Sequence, residues 1–491
     1  MFPTIAILSW PVVVTILFQK LKRPAAVAIS IIAAYLLLPV EGGIDLPLLP
    51  PIDKNTVAVV AALFIAWQMS RTDIKAQVLD GWLPRHPGLR LLIIIAVASA
   101  MMTVVLNGDQ VTYGTVVLPG LRLYDAFSAM MGAALMLLPL ILARKYLAHP
   151  EQHILLLSIL CIAGLCYSLL ALYEVRMSPQ LNRMVYGFFP HSWAQHLRGG
   201  GFRPIVFLSH GLQLAIFFTG TIIAACALMR IYAEKQRILY LCAALWLFMT
   251  LVLAKSIGAL AIALLLVPIA ALLSVRLQIL AAAILAILVV SYPLSRGAGW
   301  VPIDRIQSIA TQIDPQRGSS LGTRLYHEEA MLEKASARPL FGWGRWGRSR
   351  IYDENGRDVS IADGYWAISI GVGGWVKFLS EFLILGGAVV LLAIRQRTYN
   401  IGIETSALAL IVAGWMVDLL PNSALTPLLW LVAGALWGRV ELGKIAQTAD
   451  EPETQEVTPR VRYSRQSHKN PVPDRQLTYA RAKPEPQSRK H

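Results

Sequence analysis

The chain is built from apolar runs of about bilayer length. In order they fall near residues 3–19, 24–40, 56–70, 90–106, 125–143, 153–173, 204–229, 238–254, 257–275, 278–294, 368–394, 403–420 and 426–439. A helix needs roughly 20 such residues to cross the hydrocarbon core. With no water around it, the backbone must satisfy its hydrogen bonds inside each segment. Composition agrees with this. Of 491 residues, 56% are hydrophobic and 15% charged, and the mean hydropathy is +0.56. A soluble domain carries about a quarter charged residues. The alternating strands of a membrane barrel are absent from the sequence. The expected fold is all-α: a polytopic helical membrane protein of about 12–14 spans. A long helical loop is expected between the late spans.

The first run, Thr4 to Phe18, has no basic residue before it and no small-residue cleavage site after it. It reads as a span, not as a removed signal. Basic residues cluster at 19–23, 71–90, 144–145, 230–237, 276 and 395–397. Such loops face the cytoplasm. The alternating loops at 41–55, 107–124, 174–203, 295–367 and 421–425 then face outward. The N-terminus lies outside and the C-terminus inside. Residues 1–445 form the membrane domain. Residues 446–491 lose their apolar content and read as a disordered cytoplasmic tail. The basic half of this tail can rest on anionic lipid. The net charge of +15 sits largely in short loops and this tail. It bears on orientation and lipid headgroups, not on nucleic acid. Cys161, Cys166, Cys226 and Cys242 all fall inside apolar runs, which suits small core residues and not a metal or disulfide framework. No glycine-rich phosphate loop joins a strand to a helix, which argues against a nucleotide-driven machine.

Two outward loops, 174–203 and 295–367, carry more arginine than topology explains. The stretch from Gly318 to Glu381 holds Arg324, Arg338, Arg345, Arg348, Arg350 and Arg357, with Trp343, Trp346, Tyr365 and Trp366 among them. Its start predicts a helix over 323–336, capped by Thr323 and ended by Arg338-Pro339. Leu325, Ala330, Met331 and Leu332 give that helix an apolar side; His327, Glu328, Glu329, Glu333 and Lys334 give it a polar one. The following FGWGRWGRSR has no period and reads as a close-packed loop. In the earlier loop, Arg198 and Arg203 flank three glycines. Arginine binds phosphate bidentately and stays charged, and glycine lets backbone approach a ligand. The same pattern also suits an interfacial anchor. His210 is expected about two turns into the next helix. Lys255-Ser256 breaks one long apolar stretch, as a turn or as a further cation. Asp363, just before a span, suits either a general base or a helix cap. Lys377 and Glu381 sit four apart and share a helix face, so they can pair. With Asp418 they are expected to face the bundle interior.

The order of these features resembles the bacterial O-antigen ligase and O-antigen polymerase family of membrane glycosyltransferases. Arg324, Pro339, Leu340, Gly342, Gly344, Glu381 and Gly386 fit the late motif of that family. Arg198 fits the arginine of its earlier outward loop, and Lys255-Ser256 stands where it often has Ser-Arg-Gly. The resemblance spans roughly residues 150–440. Where the family usually has histidine before the late span, this chain has Asp363-Gly364. The resemblance implies a donor glycan on an undecaprenyl-diphosphate carrier at the outer face of the inner membrane. An acceptor hydroxyl displaces the diphosphate, with no nucleotide, metal or other cofactor. It implies that Arg198, Arg203, Arg324 and Lys255 bind the diphosphate and that Asp363 and Arg324 serve catalysis. Trp343, Trp346, Tyr365 and Trp366 would stack on sugars, or else anchor the membrane interface. The implied partners are the lipid-linked donor, a glycan acceptor, membrane lipid and other polysaccharide biosynthesis or export proteins. Three further readings stay open: a transporter or flippase of lipid-linked sugars, an inactive scaffold of an export complex, and an acyltransferase.

Overall fold

The computed structural model describes residues 2–45, 49–70, 78–190, 192–198, 200–313, 315–361 and 363–443. The tail at 446–491 lies outside the described residues. The helices are α1 (Phe2–Lys20), α2 (Arg23–Leu37), α3 (Lys54–Gln68), α4 (Pro87–Val105), α5 (Leu123–Tyr146), α6 (Pro150–Met177), α7 (Leu181–Tyr186), α8 (Gly211–Ile231), α9 (Glu234–Leu253), α10 (Ile257–Leu272), α11 (Val275–Gly297), α12 (Ile303–Ile313), α13 (Pro315–Ser336), α14 (Tyr365–Tyr399), α15 (Ile403–Asp418) and α16 (Pro427–Leu442). Two small antiparallel hairpins interrupt them: β1 (Val111–Tyr113) with β2 (Val116–Leu118), and β3 (Leu197–Arg198) with β4 (Gly201–Phe202).

Every predicted span falls on a helix. Among the described residues, eight helices are long and apolar enough to cross a membrane, and α2, α3 and α10 are shorter apolar helices. This is a multi-pass helical membrane protein. Proline opens α4, α6 and α16, where its missing N–H would have had no helical partner. Helices α15 and α16 are buried almost all round, as suits helices apolar on every face. They sit centrally, α16 against α5 and α15 against α8 and α11. The four cysteines are free thiols; Cys161 and Cys226 are buried, Cys166 and Cys242 exposed.

The two loop sets of the sequence segregate to two ends of the bundle. At one end Arg144 and Glu441, both buried, pair at 2.5 Å, and Glu441 also accepts from the backbone of Arg85 and His86. At the other end the segments 107–122, 197–203, 254–256, 298–364 and 418–422 meet one another.

Two boundaries differ from expectation. Helix α8 begins at Gly211, not near 204, so His210 is not two turns inside it. The His210 ring instead caps the helix, accepting from the Leu212 N–H at 3.0 Å. Helix α13 begins at Pro315, so Thr323 is interior and donates to the Ser319 carbonyl at 3.0 Å. Packing against α12 carries this weakly helical, glycine-containing start.

Helix α14 is broken. Gly374 has φ 68°, ψ −170°, and the helix resumes after it. The break leaves end groups that lipid cannot satisfy. The loop 339–344 fills it. Trp375 and Val376 donate to the carbonyls of Pro339 and Leu340 at 2.8 and 3.2 Å, while Trp343 and Gly344 donate to Gly371 and Val372, both at 2.9 Å. A Cβ on Gly374 would lie 2.3 Å from the Leu340 backbone, and one on Gly342 2.6 Å from that of Val372. The proline-leucine-x-glycine-x-glycine pattern is therefore a backbone plug.

Candidate functional site

The segment entering α8 is pinned from below. Glu174, 1% exposed, accepts from the backbone of Leu181, Ile205 and Val206 at 2.9, 2.7 and 2.8 Å. The Tyr167 hydroxyl accepts from Phe207 N at 3.1 Å, and the Lys54 ammonium donates to the Phe207 carbonyl at 3.3 Å. Val206 is held at φ 58°, a strained value for a β-branched residue. These contacts fix the position of Arg203 just before them. Glu174 and Lys54 were not found from sequence, since each sits alone in or beside an apolar run.

Arg198 and Gly201 face each other across the β3–β4 hairpin. Lys255 holds the hairpin: its ammonium donates to the Arg198 carbonyl at 2.9 Å. A Cβ on Gly201 would lie 2.4 Å from that ammonium nitrogen, so glycine makes room for the lysine. Lys255 thus serves the hairpin's architecture. Arg203 is 8% exposed, and one of its terminal nitrogens donates to the Lys255 carbonyl at 3.2 Å. Its Nε is buried with no hydrogen-bond partner. Burial first, and then the nearby Arg198 and Arg324 guanidiniums, bring Arg203 down to about 10. It keeps its charge at neutral pH, at an energetic cost that an anion would relieve.

Helix α13 supplies Arg324. Its inward stripe is 324, 328, 331 and 335, with Glu328, Met331 and Ala335 buried. The stripe mixes charge with apolar packing, so the predicted division into apolar and polar sides is too simple. Arg324 Nε lies 2.8 Å from an Asp363 carboxylate oxygen, each side chain about a third exposed. The two positions assigned to catalysis therefore meet. Asp363 does not cap α14; the residue before that helix is Gly364. The start of α14 is tied to the end of α15: Tyr365 N donates to the carbonyls of Leu419 and Asn422, and the Trp366 indole donates to Leu420. This fixes Asp363. Glu328 lies one helical turn beyond Arg324. Its carboxyl is raised to about 7 by burial, with Asp363 raising it further and Arg296 and Arg324 opposing.

The other arginines of the long loop do different work. Arg348, 1% exposed, donates to the carbonyls of Trp343, Asp109 and Pro119 at 3.0–3.2 Å and reaches the side chains of Asn107 and Asp109. Arg338 binds both carboxylate oxygens of Asp109, at 3.1 and 2.6 Å, and its guanidinium sits 4.3 Å from the Trp343 ring centre. Arg350 pairs with Asp358 at 2.7 Å.

Three of the four aromatics assigned to sugars do not offer a face. Trp366 is 0% exposed and packs edge-on against Tyr292. Trp343 is covered by Arg338, and its indole donates to the Lys334 carbonyl. Tyr365 turns inward, its hydroxyl 3.0 Å from Glu381. Only Trp346, 54% exposed, keeps an open ring. Arg338 takes up the Trp343 ring, while the packing of α14 against α11 and α15 takes up Trp366 and the buried Glu381 takes up Tyr365.

Lys377 and Glu381 pair at 2.5 Å, as their spacing predicts, and the Ser369 hydroxyl joins them at 2.9 Å from Glu381. They sit at one end of a cleft between α4, α5 and α14, walled by Ala96, Ala100, Ala129 and Ala133 and bordered by Arg345 and Trp346. Asp418 is buried and accepts from Asn422 at 2.8 Å. Among the described residues, no group of three His, Cys, Asp or Glu side chains could hold a metal ion. No family model and no curated protein matches the chain in sequence.

Proposed function

We propose that the protein is a bacterial inner-membrane glycosyltransferase that moves a glycan from an undecaprenyl-diphosphate carrier to an acceptor hydroxyl. The end of the bundle bearing Arg198, Arg203 and Arg324 would face outward, and the product would be a cell-surface polysaccharide. The observation that carries this reading is the gathering of these three arginines, one with an unpartnered buried Nε and one paired with Asp363. Such a cluster suits a diphosphate, whose charge grows as it leaves. In the reaction the acceptor oxygen attacks the anomeric carbon, and the carbon–oxygen bond to phosphate breaks. The electron pair leaves on the diphosphate, which the arginines bind.

The flippase reading draws on one feature, the broken α14, because transporters build sites at helix breaks. Here the break is occupied by the chain's own backbone, and the carbonyls of Gly371 and Val372 accept from Trp343 and Gly344 instead of facing cargo. The test is to give purified protein a lipid-diphosphate oligosaccharide and a hydroxyl acceptor. Product from the parent, and none from Arg324→Ala, is expected. A parent that binds donor and moves it across vesicles without forming product would replace this reading with transport.

A further inference from the structure

Three carboxylates and two arginines meet where α11, α13 and the start of α14 converge. Arg324 is paired with Asp363, and Arg296 with Glu329 at 3.0 Å. Each arginine of this set is thus already matched to a carboxylate. Glu328 is the third carboxylate. No hydrogen bond or ion pair to its carboxylate is present among the described residues. It is 7% exposed, against 72% for the side chain of neighbouring Glu329. The groups that face it are Arg296 and Tyr292 from α11, Asp363 before α14, and Arg324 one turn earlier on its own helix.

A base must be able to hold a proton at working pH and must not be tied to a cation. Asp363 fails the second condition because the Arg324 guanidinium lies 2.8 Å from its carboxylate. Glu328 meets both. Resting on the glycosyl-transfer reading, we propose that Glu328 is the group that takes the proton of the acceptor hydroxyl, and that Asp363 is a positioning residue that aims Arg324 at the diphosphate. In the step the O–H bond of the acceptor breaks and its proton passes to a Glu328 carboxylate oxygen. The acceptor oxygen bonds to the anomeric carbon, and the diphosphate leaves with the electron pair of the broken bond. Burial holds the Glu328 carboxyl near 7, so the basic form gains population as pH rises through neutrality.

The experiment uses the full chain in vesicles with a lipid-diphosphate oligosaccharide and a hydroxyl acceptor. The pH dependence of kcat and KM is measured for the parent, Glu328→Gln, Glu328→Asp and Asp363→Asn. Donor binding is measured separately with undecaprenyl diphosphate. The expected result for Glu328→Gln is a fall in kcat of about a hundredfold or more, with donor binding kept and the acidic limb of the profile gone. Glu328→Asp is expected to restore part of the rate with a shifted acidic limb. Asp363→Asn is expected to weaken donor binding and to leave that limb in place. Parent-like kcat in Glu328→Gln overturns the assignment. So does an acidic limb that moves with Asp363→Asn and not with Glu328→Gln. A parent without product overturns the transfer reading, and this assignment with it.

Discussion

Two arginine groups occupy the same end of the bundle and differ in how far their hydrogen bonds are used. The knot of Arg338 and Arg348 spends its donors on Asn107, Asp109 and the carbonyls of Leu106, Trp343 and Pro119. The cluster of Arg198, Arg203 and Arg324 retains a buried Nε without a partner, and Arg198 and Arg324 lie close enough to lower Arg203 beyond what burial does. Arginine content alone does not mark a ligand site. Unspent donors do, because a buried unpaired donor costs about 1–3 kcal/mol, which binding an anion recovers.

The largest test of the comparison is Arg348→Ala. Its loss strips the donor from the carbonyls of Trp343, Asp109 and Pro119, and a buried acceptor left unsatisfied costs about 1–3 kcal/mol, so thermal unfolding in detergent should occur at clearly lower temperature and protease should cut the long loop. An unchanged melting profile would sink the idea of a structural knot. Next comes Arg203→Ala. Its loss should reduce undecaprenyl-diphosphate affinity by about tenfold or more, the worth of one charge-assisted hydrogen bond of about 1.5–3 kcal/mol, while the melting profile stays near the parent's. If stability falls and binding does not, the two groups are alike after all. Gly374→Ala should destabilise by about 1–3 kcal/mol through strain at positive φ and contact with the Leu340 carbonyl, read in the same melting assay. The smallest effect is with pH. The hydrogen bond from Arg338 holds the Asp109 carboxyl below its ordinary value. A depressed carboxyl stabilises above its unfolded pKa, and that stability is lost as pH falls through the folded value. Protease sensitivity of the long loop should therefore rise only below the ordinary carboxylate range. A rise near neutrality would contradict the assignment of Asp109 to the knot.

Much of the frame was legible. Apolar runs placed the membrane helices because a bilayer tolerates little else. Arg338-Pro339 marked the region where α13 stops, since proline cannot continue a helix. The Lys377–Glu381 pair followed from spacing. The site was legible only in part. Arg198, Arg203, Arg324 and Asp363 were singled out and do converge, but Lys255, Trp343 and Trp366 were read as ligand contacts and are spent on the protein itself. Glu328 was placed on a solvent-facing side of its helix. The 324, 328, 331, 335 spacing was the signal available for its inward direction, and the adjacent Glu329 obscured it.

By itself the sequence determined the helices, their order and which loops share an end, because these depend on local hydrophobicity and charge. The tertiary structure alone decided which arginines are satisfied, that α14 breaks at Gly374 and is plugged by residues 339–344, and that Asp363 meets Arg324 while Glu328 makes no ion pair among the described residues. Those outcomes depend on partners tens or hundreds of residues away, such as Asn107 for Arg338 and Lys255 for Arg203. Local sequence carries no record of which distant donor or acceptor will be within 3 Å.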